Sequence, residues 1–136
     1  MKLLMFYAHG WWFKTAVKSL PEVPDAEREE SVENAAVVFF HAEAEDEARR
    51  QDVLQKFVKN TKWIAGKFGT KNVVLHSFNH LSSSKSSPEF AKALLDETVQ
   101  RLERAGFSVM VTPFGYFNEF RIHVAGDSLA KVFKEF

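Results

Sequence analysis

The segment Val73 to Val111 constrains this chain more than any other. It opens with a short apolar run, Val73-Val74-Leu75, of the kind a buried strand needs. Ser87-Pro88 then supplies a helix N-cap followed by proline at the first helical position. Ala91, Leu94, Leu95, Thr98, Leu102 and Ala105 recur on one helical face up to Gly106, and Phe107, Val109 and Val111 alternate beyond it. A strand, a helix and a strand in that order and length form a crossover unit, which demands two parallel strands with a helix across one face of the sheet.

The first strand of this unit ends abruptly in polar chemistry. Residues 76–83 read HSFNHLSS, with two imidazoles (His76, His80), three hydroxyls, the carboxamide of Asn79 and the ring of Phe78. Polar groups at the end of a rigid strand are placed where sites are built. The spacing of His76 and His80 suits a metal on a helix but not across a strand end, and no Asp, Glu or Cys nearby completes a ligand set, so no metal and no cofactor is expected. Ser77 or Ser82 with His80 could pair as nucleophile and base, although no G-x-S-x-G elbow is present.

The remaining segments read as scaffold. Lys2 to His9 and Trp11 to Val17 are predicted as two strands turned at Gly10. The second carries alternating aromatics that suit a half-covered antiparallel position, with core or dimer-interface burial as their role. Leu20 to Asn34, with two prolines and a charged run, is expected to be a solvated loop or short helix. Ala35 to Glu43 (AAVVFFHAE) reads as a central strand, with His41 near its end. From Asp46 to Phe68 a helical stripe runs through Leu54, Phe57, Val58, Thr61, Ile64, Ala65 and Phe68, stopped by Gly69. Pro113-Phe114-Gly115 signals a tight turn, Tyr116 to Val124 a strand, and Asp127 the cap of a final helix over 128–136. In the Tyr116 strand, Asn118 shares the inward face with Tyr116, Phe120, Ile122 and Val124, so it must find a partner or reach into a site. The order β-β-β-α-β-α-β-β-α defines a single α/β (α+β) domain over residues 1–136, with a mixed sheet and helices packed on it.

Composition bears on partners. With 136 residues the chain can bury one core, and the absence of cysteine suits a reducing, cytoplasmic setting. No apolar run approaches the ~18 residues a membrane span needs. Basic and acidic side chains balance at 18 each, so a nucleic-acid partner is expected to be held by a local patch or delivered by another module.

Two motifs at matching separation carry a family resemblance. FNHLSS (Phe78 to Ser83) is similar to the F-A-H-L-S-S segment of the archaeal threonyl-tRNA synthetase editing domain, and PFGYF (Pro113 to Phe117) resembles that family's P-F-G-Y-[YF] turn. Between them lie a helix of similar length and a G-F-x-V strand; the opening residues and Ala42-Glu43 fit more loosely. The resemblance implies a D-aminoacyl-tRNA deacylase-like fold, found as homodimers. It implies hydrolysis of serine wrongly esterified to the tRNA(Thr) 3′ end, by a water positioned by backbone groups and the tRNA 2′-hydroxyl. It places His80 beside the scissile ester, Phe78, Asn79, Ala42 and Glu43 around the seryl group, and the backbone of Phe114, Gly115, Tyr116 and Phe117 near the developing oxyanion. Where many members carry a lysine, this sequence has Asn118, and where a glutamate often sits on the last helix it has Lys131. Asparagine offers a neutral hydrogen bond in place of a charge. His80 and Asn118 are therefore the expected catalytic side chains. The aminoacylation domain of a threonyl-tRNA synthetase, in cis or in trans, is the expected second partner. The alternatives are a D-aminoacyl-tRNA deacylase, whose Gly-Pro dipeptide does not occur here, and an inactive dimeric binding module.

Overall fold

The computed structural model describes residues 1–136. Six strands and two helices follow one another as β1 (Lys2–Lys18), β2 (Glu29–His41), α1 (Arg50–Lys67), β3 (Asn72–Ser77), α2 (Pro88–Arg104), β4 (Ser108–Val111), β5 (Tyr116–Val124) and β6 (Lys131–Glu135). They form one mixed sheet in the order β4-β3-β2-β1-β5, with β6 pairing the start of β1 beside β5. The crossover unit is present as expected, β3 and β4 running parallel and linked through α2; β2 adds a second parallel neighbour to β3, linked through α1. Ser87 caps α2 by accepting the N–H of Phe90, and Pro88 begins the helix.

Both helices cover the same face. Leu54, Phe57, Ile64, Leu94 and Leu102 pack there against Leu3, Met5, Val38, Phe40, Val73 and Leu75, all fully buried or nearly so. The opposite face is closed differently. Leu4, Phe6, Ala8, Val37, Phe39 and Val74 point that way, and so do Trp11 and Phe13, whose odd numbers would place them on the helix side of an unbroken strand. The strand changes phase at His9-Gly10, opposite Asn34, which adopts a left-handed φ of 51°. Because both strands shift together, the β1–β2 register is kept while the outer half of the ribbon turns over the helix-free face. The Phe120 ring of β5 thereby comes within 5.2 Å of Trp11, 5.4 Å of Phe39 and 5.3 Å of His76.

Four expectations are corrected. Gly10 is not a turn: β1 is one strand of 17 residues, bulged against β5 between Ala8 and Gly10. The second half of the supposed 20–34 loop is strand, with Glu29 to Glu33 paired to Lys14 through Gly10. The final segment is no helix beyond a three-residue 3-10 turn (Ser128–Ala130); Lys131 to Glu135 pairs with Phe6 to Lys2. Nine residues would make only a marginal helix, whereas the open edge of β1 offers a ready ladder. The first helix also starts later than expected, because Ala44–Arg49 winds as a 3-10 turn, capped reciprocally by Glu43 and Asp46.

Candidate functional site

Parallel strands bring their carboxyl ends to one edge, and here those ends are Ala42-Glu43 after β2, Phe78 to His80 after β3 and Thr112 to Gly115 after β4. The crevice outside such ends is where α/β sheets bind ligands. The curled ribbon brings the start of β5 over the same edge. A cavity of about 500 Å³ lies between them.

Nine of the ten expected site residues line it. Ala42, Phe78, Asn79 and His80 form one wall. Phe114, Gly115, Tyr116, Phe117 and Asn118 form the other, so His80 and Asn118 face a shared hollow. Glu43 is the exception. Its carboxylate, only 4% exposed, accepts from the N-terminal ammonium at 2.6 Å, from Lys2 Nζ at 3.0 Å and from Ser82 Oγ at 2.6 Å. Burial alone would raise this carboxyl's pKa, but those donors outweigh it and hold it at about 2. Glu43 therefore sits beneath the site loop, not in the cavity.

The two imidazoles of the opening motif have separate environments. His76 is buried among Trp11, Phe39, Phe78 and Phe120, with Nδ1 bonded to Thr112 Oγ1 at 2.9 Å. Burial pushes its pKa down to about 4. The Phe78 ring lies between it and His80, which stands exposed at the rim, edge-on to Phe78 at 5.0 Å. The loop serines are structural. Ser82 donates to Glu43, and Ser84 Oγ accepts from Ala44 N–H and donates to Glu45, so neither is paired with His80.

Both walls carry backbone donors that the fold itself does not use. Phe78 N–H is spent on Phe40 O, but the N–H groups of Asn79 and His80 have no protein acceptor, and neither do those of Phe114 and Gly115. Asn118 Oδ1 is buried without a partner, while its Nδ2 reaches Tyr116 O at 3.4 Å. The unspent donors on the two walls can hold a carbonyl oxygen as it gains charge, and the unspent Asn118 acceptor can take a hydrogen bond from a water or hydroxyl.

The second wall is fixed by the segment that the sequence presented as a solvated loop. Gly115 O accepts from Ser19 and Leu20 N–H at 2.8 and 3.2 Å, and Tyr116 Oη accepts from Ala26 N–H and donates to Pro24 O. Gly115 has φ +82°, and a Cβ there would lie 2.7 Å from Val23 Cγ1. Gly115→Ala is expected to cost about 2–4 kcal/mol, combining left-handed strain with overpacking. Thermal unfolding checks this against Gly10→Ala, whose added methyl meets nothing within 4 Å; equal melting temperatures for the two variants would contradict it.

His41 escaped the sequence reading as a site residue. It is fully buried, with Leu81 N–H donating to Nδ1 at 3.1 Å and Nε2 against Ser84 O at 2.7 Å. Its place at the end of a central strand, beside Ala42, was the available signal.

Fold and cavity together define a single α+β domain with a polar, aromatic-walled cleft at its parallel strand ends. The family model for the archaea-specific editing domain of threonyl-tRNA synthetase matches residues 1–136, and the chain belongs to that family. Such editing domains are aminoacyl-tRNA deacylases. Among curated relatives, threonine--tRNA ligase of Hyperthermus butylicus is 32% identical over 100% of this chain and 23% of its own length. The ligase of Thermococcus onnurineus is 30% identical over 97% of the chain and 22% of its own length. The chain thus spans under a quarter of these relatives. Among solved structures, c-Myc DNA Unwinding Element Binding Protein superposes with a TM-score of 0.69 at 11% identity, covering 99% of this chain and 98% of its own, which shows a common fold. The single mixed α+β domain expected from the sequence is the one observed. No helix is long and apolar enough to cross a membrane.

Proposed function

We propose that this domain removes L-serine wrongly esterified to tRNA(Thr), with the serine-bearing 3′ end entering between the β3 and β5 termini. The observation that supports this most is the meeting of His80 and Asn118 in one hollow, flanked on both sides by uncommitted backbone N–H groups. Water adds to the ester carbonyl carbon, the bond to the ribose oxygen breaks, and that oxygen leaves with a proton as the terminal hydroxyl. The oxyanion formed on the way is met by peptide dipoles of the Asn79-His80 and Phe114-Gly115 turns, which need no reorganisation. The water is held by backbone groups and the 2′-hydroxyl of the terminal adenosine. Asn118 contributes neutral hydrogen bonds where a lysine would contribute charge. A synthetic pocket for threonine rejects serine by one methyl group, worth about 1–3 kcal/mol, so a second sieve that admits only the smaller residue completes the selection.

Release of amino acid from seryl-tRNA(Thr), threonyl-tRNA(Thr) and a D-aminoacyl-tRNA tests the reading. Serine alone is expected to be freed. Release of the D-residue instead would make the domain a chiral proofreader, and no release from any substrate would leave a binding module. Asn118→Ala is expected to lower kcat/KM about fivefold to a hundredfold, the equivalent of roughly 1–3 kcal/mol for a lost buried hydrogen bond. His80→Ala divides the labour. Activity that survives assigns catalysis to backbone and substrate groups, and a fall of about a hundredfold or more assigns a proton transfer to the imidazole. A second copy of the chain and the synthetase's aminoacylation domain are the proposed protein partners; light scattering of the purified domain measures the first.

A further inference from the structure

We propose that His41 is a positioning residue for this deacylation: without touching substrate, it holds the Asn79-His80 turn in the geometry its N–H groups need. The activity arm of the test rests on the function proposed above.

The turn is bracketed by two successive residues of β2. On its near side Phe78 N–H donates to the carbonyl of Phe40 at 3.0 Å. On its far side Leu81 N–H donates to Nδ1 of His41 at 3.1 Å. Asn79 and His80, the pair with unspent N–H groups, lie between these anchors, and only the second is a side chain. The same ring reaches Ser84 O through Nε2 at 2.7 Å. A single tautomer, with the proton on Nε2, satisfies both contacts. Both ring nitrogens of this fully buried histidine are thus committed to one loop and none to its own strand or its neighbours. The base of the ring is equally fixed, because β2 is paired with β1 on one side and β3 on the other. His41 does not line the cavity. Ser82, one residue beyond Leu81, is tied to Glu43, which leaves His41 as the side-chain anchor nearest the turn. Donors aimed at a developing charge lose their effect with small displacements, so an anchor one residue away governs turnover more than ground-state binding.

His41→Asn and His41→Leu separate this role from packing, because the two side chains are similar in shape and only asparagine offers an acceptor to Leu81. For variants shown by circular dichroism to be folded at the assay temperature, His41→Leu is expected to lower kcat about tenfold or more, with KM within about twofold, and His41→Asn to recover most of the loss. Exchange of the Leu81 amide proton is expected to accelerate at least about tenfold in His41→Leu and much less in His41→Asn. If His41→Leu does not fold, His41→Phe, which keeps the ring volume, takes its place. Equal kcat values for the leucine (or phenylalanine) and asparagine variants, or a Leu81 amide unaffected by losing the imidazole, would overturn the proposal. Should the wild-type domain release no serine, the deacylation reading falls by itself, and the Leu81 exchange comparison still decides whether His41 holds the turn.

Discussion

Replacing Glu43 by alanine is expected to destabilise the domain by about 3–5 kcal/mol at neutral pH, the range for breaking a buried ion pair from one side. The carboxylate serves three donors at once: the N-terminal ammonium, the Lys2 ammonium and the Ser82 hydroxyl. Its removal leaves the buried N-terminal ammonium with Asp46 as its one carboxylate partner beside the Phe136 carbonyl, and leaves Lys2 with Glu135. The pH dependence follows from the depressed pKa. The stabilisation is fully present above the ordinary glutamate value of 4.5 and is lost as pH falls toward about 2. Urea unfolding at pH 7 and near pH 3 measures both effects. Coincident midpoints for wild type and Glu43→Ala at pH 7 would show that the cluster contributes nothing net.

A second large effect belongs to His76. Its folded-state pKa of about 4 lies below the ordinary 6.5, because burial among aromatic rings disfavours the imidazolium. Between these values the unfolded chain holds a proton that the folded chain does not, so stability declines as pH falls from about 6.5 to 4. The shift corresponds to a loss of about 3 kcal/mol over that window, at roughly 1.4 kcal/mol per unit. His76→Phe is expected to flatten this part of the stability profile, since a neutral ring of similar size keeps the contacts with Phe39, Phe78 and Phe120. The Glu43 and His76 effects occupy adjoining pH ranges, so a titration of unfolding free energy resolves them. A wild-type profile level from pH 6.5 to 4.5 would remove the basis for the His76 prediction.

Local signals carried most of the architecture. Of the stripe, Leu54, Phe57, Val58, Thr61, Ile64 and Ala65 are buried while Phe68, just past the helix end, is half-buried, and Ser87-Pro88 starts α2 where the capping rule places it. Asn118 lies on the cavity side of β5, as alternation required of it. The two opening strands, the solvated loop and the final helix were misread for one reason. Gly10, the proline-rich charged segment and the amphipathic tail each look like a turn, a loop and a helix in isolation, and each is overridden by a long-range ladder along β1. Glu43 was misplaced for a related cause. A carboxylate at a strand end resembles a ligand group until the donors that claim it, distant along the chain, are known.

Sequence alone determined the Val73–Val111 crossover unit, the buried helix faces and the two polar turns, because periodicity and capping are short-range properties of consecutive residues. Only the tertiary structure decided that β1 is continuous, that the ribbon bends where Gly10 meets Asn34, and that the two turns therefore face one another across a single cavity. Those outcomes depend on pairing between segments far apart in the chain, whose register and phase no local pattern encodes.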